Sequence, residues 1–177
     1  MADALDTLAS QVRKTRNFDN PPLERWHPPL SGDIDIRIAA DGGWYHEGRI
    51  IAREAIVRLF ASILRREEDG DYYLVTPGEK WRVQVELHPL IVTEINQREE
   101  AGRPLLVARL NTGREVPIDR DHPLFLEPAV GDVAAISLPH GLSALLSRAA
   151  WYRLVESAEE REGRLQVTSA GEWFPLQ

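Results

Sequence analysis

The sequence predicts an α+β fold of two similar strand-helix-hairpin motifs packed together, preceded by an N-terminal helix and a proline-rich arm. Three observations carry this. Apolar and charged residues alternate through GDIDIRI, apolar residues recur at helical spacing over residues 53–66, and a second stretch, 136–176, repeats the strand-helix-hairpin order of the second half of 34–85. A chain of 177 residues suits one ordinary domain or two small ones sharing a core.

Taken in order, the chain divides into residues 1–30 (helix and arm), 31–88 (first motif), 89–130 (linking strands and loops) and 131–177 (second motif). Leu5, Leu8 and Val12 mark one apolar edge of a short N-terminal helix. In NPPLERWHPPL the paired prolines forbid helix and favour extended chain, with Leu23, Trp26 and Leu30 to pin it down. In the first motif Ile34, Ile36 and Ile38 face a core while Asp33, Asp35 and Arg37 face the other way. Asp41-Gly42-Gly43 supplies a tight turn before Trp44 and Tyr45, and residues 53–66 read as a helix buried through Ile56, Val57, Leu59, Phe60, Ile63 and Leu64. DYYLVTPGEKWRVQVEL is a hairpin turning at Pro77-Gly78.

Strands are expected at 90–95 and 105–110, joined by an exposed loop, NQREEAGRP, with REVPIDRDHPLFLEP mostly loop. The second motif reads as a strand at 133–138, a helix with Leu142, Leu145, Leu146, Ala149, Tyr152 and Val155 on its buried face, and a closing hairpin. At a fixed offset Phe60 then matches Tyr152, Ile63 matches Val155, and Val75-Thr76 matches Val167-Thr168. Two copies imply that each buries an apolar face the other cannot bury alone.

Composition narrows the chemistry. With no cysteine there are no disulfides, thiolate metal sites or cysteine nucleophiles, which suits a reducing cytoplasm. The opening MADALDTLASQVRKTR carries acids and no basic region before an apolar run, so no secretory signal is read there, and no apolar run reaches membrane length. A net charge of -7 argues against non-specific nucleic-acid binding, which depends on basic side chains neutralising phosphates. Lys14 and Lys80 are the only lysines, so most of the positive charge is arginine, suited to bidentate grip on carboxylate or phosphate.

Candidate ligand-binding residues are Asp33, Asp35, Arg37, Asp121, His122 and His140. Asp33 and Asp35 sit two apart on one strand face, a spacing that suits a divalent cation or divided acid–base roles, or else a solvated face on which Arg37 offsets Asp35. Asp119, Asp121 and His122 form the densest polar cluster, though Asp-His-Pro also opens ordinary turns. His140-Gly141 at the start of the last helix would offer an imidazole and amide donors to an anion, and Arg53 and Arg58 could join Lys80 around another. His27, His46, His88, His122 and His140 are not spaced as metal-binding pairs, and no Gly-x-Ser-x-Gly, Walker or dinucleotide pattern is present, so no metal, cofactor or catalytic residue is assigned.

In combination, GDIDIRI, Trp44-Tyr45 with Gly48, AIVRLFASILRRE, LVTPGEK, Asp121-His122-Pro123 with Leu124, and GLSALLSRAAWYRLVE resemble the domain-of-unknown-function family 1285, an uncharacterised bacterial family. The resemblance runs from Leu23 to Glu156 and implies an α+β fold with two similar motifs and an association with signalling or regulation. It brings no catalytic residues. The expected function is a cytoplasmic, non-enzymatic regulatory or sensory module that binds a small anionic ligand or a protein partner between the motifs. The competing expectation is a small hydrolase or isomerase using the Asp/His cluster, with or without a cation. A homodimer built on exposed aromatic residues is a further expectation.

Overall fold

The structure, a computed structural model, describes residues 4–13 and 20–177; the opening residues 1–3 and the stretch 14–19, with Lys14, lie outside the described residues. The chain forms two compact units, one of Met1–Pro89 with His140–Leu142 and the other of Leu90–Pro139 with Ser143–Gln177.

In the first unit, helix α1 (Ala4–Arg13) buries Leu8, Ala9 and Val12 and packs on helix α2 (Glu54–Ser62). The proline arm makes one short 3-10 turn at Leu23–Arg25 and buries Pro21, Leu23 and Pro28. Six strands follow: β1 (Leu30–Ile38), β2 (Trp44–His46), β3 (Arg49–Ile50), β4 (Leu64–Arg66), β5 (Tyr72–Val75) and β6 (Lys80–Val85). They form one sheet in the order β3-β2-β1-β6-β5-β4. Every neighbouring pair is antiparallel except the central β1 and β6, which run parallel. Ile34, Ile36 and Ile38 are buried and Asp33, Asp35 and Arg37 lie on the opposite face, as the alternation predicts. The helix is shorter than predicted, ending at Ser62. The Val75 N–H donates to the Ile63 carbonyl and Leu64 pairs with Leu74, so strand pairing claims the two apolar residues whose spacing suited a helix.

The second unit repeats that topology. Its strands are β7 (Leu90–Glu100), β8 (Arg103–Leu110), β9 (Glu115–Pro117), β10 (Leu124–Glu127), β11 (Val133–Ser137) and β12 (Ser143–Leu146), in the order β10-β11-β12-β7-β8-β9. Again the first and last strands, β7 and β12, form the parallel central pair. Helix α3 (Arg148–Glu156) follows, then a separate sheet of β13 (Glu159–Arg161), β14 (Arg164–Ser169) and β15 (Glu172–Pro175). A helix followed by three antiparallel strands thus occurs twice, as α2 with β4–β6 and as α3 with β13–β15, but the similar halves of the chain are the two six-stranded sheets, and β13–β15 lie outside both.

Expectations about the second motif and about the linking segment are corrected. Leu142, Leu145 and Leu146 are not helical: residues 143–146 pair with β7 and β11, and the helix begins only after Ser147, whose hydroxyl caps it by accepting the Ala150 N–H. That start sets the helix phase, so Ala150 and Leu154 are buried while Tyr152 is 54% exposed; its proposed counterpart Phe60 is 0% exposed, and their pairing fails. The loop expected at 96–104 is instead the end of a β7–β8 ribbon whose two-residue turn, Ala101-Gly102, has positive φ at both positions.

Ser169 ties the third sheet to the second. It is fully buried, its Oγ accepts the Leu106 N–H at 2.8 Å and donates to the Ile118 carbonyl at 2.5 Å. Ser169→Ala leaves both backbone groups without these bonds, and we expect a loss of about 1–3 kcal/mol in urea unfolding. Thr168→Ala, one residue away and partly exposed, serves as the mild control.

Candidate functional site

On the first unit, register across the sheet aligns Asp33 of β1, Arg82 of β6, Tyr73 of β5 and Arg65 of β4 in one row. Because side chains alternate across strands, these four share the face opposite Ile34 and Ile36. Arg82 Nη1 donates to Asp33 Oδ1 at 3.0 Å, and its Nε lies 3.1 Å from Asp71 Oδ2. The Tyr73 hydroxyl donates to Asp69, while Lys80 Nζ sits 4.7 Å from the Tyr73 ring centre and 2.7 Å from Glu67 Oε1. The next row places Gln84, Arg37 and Tyr45 side by side. Arg37 lies 4.5 Å over the Tyr45 ring and bonds Glu86 at 2.5 Å, and Glu86 also accepts the Ala40 N–H at 2.9 Å. Cation–aromatic and ion-pair contacts thus run across most of this face.

The predicted residues sit within this pattern differently from expectation. Asp33, Asp35 and Arg37 do share a face, but Arg37 is paired with Glu86, just past the end of β6, and not with Asp35. Asp33 is held by Arg82, a residue not singled out from sequence. Lys80 joins Glu67, leaving the proposed grouping with Arg53 and Arg58 without a contact to support it. His140 does not begin a helix. It occupies a 3-10 turn, Pro139–Gly141, with φ 62, and the chain goes on into β12, so the helix-terminus anion site is withdrawn. Gly141, at φ +71, is tied to its place by close approach: a Cβ there would stand 2.9 Å from the Arg66 carbonyl oxygen.

On the second unit, Asp119 Oδ1 accepts the backbone N–H groups of Asp121 and His122, both at 2.9 Å, and lies 3.0 Å from His122 Nδ1. This is the turn-capping arrangement an Asp-x-x-His-Pro stretch favours, with Asp121 left exposed. Arg120 bonds Glu172 at 2.8 Å. Among the described residues, no group of three or more His, Asp or Glu side chains is placed to hold a metal ion.

Sequence reasoning missed a cleft on this unit. It has a volume of about 270 Å³ and is lined by Ile95, Gln97, Leu106, Arg153, Glu156 and Ser157. Ile95 and Leu106 are buried and provide an apolar floor; the other four form a polar rim. The residues come from the β7–β8 hairpin and from the end of α3, more distant in the chain, and the strand residues lie in and beside a segment whose composition reads as loop.

Model matches to the family cover nearly the whole described chain. The N-terminal domain of the domain-of-unknown-function family DUF1285 matches residues 21–87, and its C-terminal domain matches residues 89–176. The chain belongs to the DUF1285 family. A DUF1285 crystal structure from Silicibacter pomeroyi DSS-3 is 34% identical, with 99% of this chain and 95% of that one covered and a TM-score of 0.86. A second, from Shewanella baltica OS155, is 31% identical over 70% of this chain and 91% of that one, with a TM-score of 0.57. No curated protein matches.

The electrostatics of the first face have a pH consequence. The Tyr73 hydroxyl, followed by the Asp71 N–H, holds the Asp69 carboxyl below its ordinary 3.8, and the Ala40 N–H, followed by Arg37, holds Glu86 below 4.5. A carboxyl lowered by folding stabilises the folded state above its unfolded pKa and loses that contribution as pH falls through the folded one. Stability should therefore decline below pH ~4, and urea midpoints measured from pH ~6 to ~2.5 should fall less steeply in Asp69→Asn and Glu86→Gln than in the wild type.

Proposed function

We propose that this DUF1285 protein is a cytoplasmic, non-enzymatic regulatory or sensory module in signal transduction, and that the cleft beside α3 takes a small ligand with an anionic group. The supporting observation is the Arg153 guanidinium on the cleft rim. Its side chain is 72% exposed and its ion-pair contact is Glu156, one helical turn on, at 3.7 Å. So exposed and long a pair contributes little, and a carboxylate or phosphate making two short bonds to the guanidinium displaces Glu156 at small cost. The ligand's apolar part would then rest on Ile95 and Leu106 and supply the hydrophobic share of affinity. A protein partner presenting an acidic side chain uses the same chemistry.

One observation favours a second reading, a small hydrolase or isomerase. The Asp119–His122 contact orients an imidazole with a carboxylate, as general acid–base catalysis requires. Turnover of ester, phosphoester and isomerase substrates, with and without chelator, that disappears in His122→Ala would establish it.

The binding reading is tested by thermal shift and calorimetry with small carboxylates and phosphates. A ligand that raises Tm in the wild type should lose roughly tenfold or more in affinity in Arg153→Glu, since a charge-assisted bond is replaced by repulsion. Arg148→Glu, on the same helix but outside the cleft lining, should bind as the wild type does. Equal binding by Arg153→Glu and wild type would remove the cleft from consideration.

A further inference from the structure

The proline arm of the first unit is held by the burial of Pro21, Leu23 and Pro28 and by hydrogen bonds from the side chain of Arg65. Arg65, 12% exposed, uses a single nitrogen, Nη1, to donate to the Leu23 and Trp26 carbonyls, both at 2.9 Å. These are the carbonyls at either side of the arm's 3-10 turn, where the Trp26 N–H already donates to Leu23 O at 3.1 Å. Arg65 therefore closes the turn and fixes it to β4, above the buried Leu23 side chain. Its other nitrogen, Nη2, stands 3.5 Å from Glu67 Oε2, the outer limit of a hydrogen bond.

That distance calls for an explanation, because a guanidinium ordinarily prefers a carboxylate to neutral carbonyls. Lys80 supplies it. Its ammonium holds Glu67 Oε1 at 2.7 Å and Oε2 at 3.4 Å, and is itself placed against the Tyr73 ring. All three charged groups are at most a quarter exposed, so competition between them is only partly screened by water.

We infer that Lys80, Glu67 and Arg65 form a release device for the proline arm. While Lys80 occupies Glu67, Arg65 is left to grip the two carbonyls. When the Lys80–Glu67 bond is lost, Glu67 takes Arg65 as its counter-ion, the guanidinium turns away from Leu23 and Trp26, and the arm comes free. A modification that removes the Lys80 charge, or a ligand anion that engages the ammonium, would throw the switch. Lys80 meets the end of the arm through its backbone, paired with Leu30 and donating to Ser31 Oγ, while its side chain engages Glu67 and the Tyr73 ring, so an effect of the Lys80 charge on the turn at Leu23–Arg25 travels through Glu67.

Hydrogen exchange of the peptide spanning residues 20–30 tests this, with peptides of β11 and β12 and the melting temperature reporting on general stability. Arg65→Ala and Lys80→Met should each speed exchange in the arm about tenfold, the scale of losing one charge-assisted bond. Glu67→Gln alone should leave the arm as protected as in the wild type or more so, and Lys80→Met with Glu67→Gln should return it to within about twofold of wild type, because the competitor is gone. An unchanged arm in Arg65→Ala overturns the latch. Unchanged exchange in Lys80→Met, or a double variant as fast as Lys80→Met, overturns the switch; both outcomes can be read in variants that retain the core.

Discussion

Each unit depends on a parallel pair of strands at the middle of its sheet, β1 with β6 and β7 with β12. Parallel neighbours cannot be joined by a tight turn, so the chain has to leave and return, and it spends that detour making the other four strands. The first strand and the last are consequently central, with a meander hanging from each. Asp33 meets Arg82 across a separation of 49 residues, and such pairings cannot form until the meanders exist. The sheet is complete only when its last strand is in place.

The same constraint explains which residues bear the polar face of the first unit. Strand β6 lies between β1 and β5, so Arg82 has an acid on one side and an aromatic ring on the other, and Glu86 just past its end reaches Arg37. These groups largely neutralise one another. The cleft of the second unit differs, because its rim arginine has only a long, exposed contact within its own helix. Availability for a partner therefore separates two sites that composition alone makes equivalent.

Much of this was legible in the residues, and where it was not the reason is physical. The alternation of Ile34, Ile36 and Ile38 left one assignment open, since a slip by one residue would bury Asp33 and Asp35. Leu64 and the run Leu142–Leu146 fit helical spacing although they lie outside the helices, because apolar residues just beyond a helix end satisfy that spacing whether or not the helix reaches them; Ser147, a capping residue, marks the stop. The hairpin turns at Glu47-Gly48, Ala101-Gly102, Glu162-Gly163 and Ala170-Gly171 all have positive φ at both residues, with glycine second each time. That pattern was present in the sequence, and charged flanks hid the ribbon around the second of them. The Asp119–His122 contact follows from local spacing, whereas the partners of Asp33 and Arg37 depend on which strand lies beside β1 and could not be read locally.

The pair of hydrogen bonds made by the Ser169 hydroxyl governs more than cohesion. Val167, Phe174 and Leu176 attach the third sheet by burial, and apolar contact has no preferred direction, so by itself it tolerates sliding. A hydroxyl that must accept from Leu106 and donate to Ile118 at the same time satisfies both only in one place. The sheet is thereby indexed against β8 and the segment after β9, the way a dowel indexes two machined plates. Since β8 also carries Leu106 into the floor of the cleft, the alignment of that floor is inherited from a serine on another sheet.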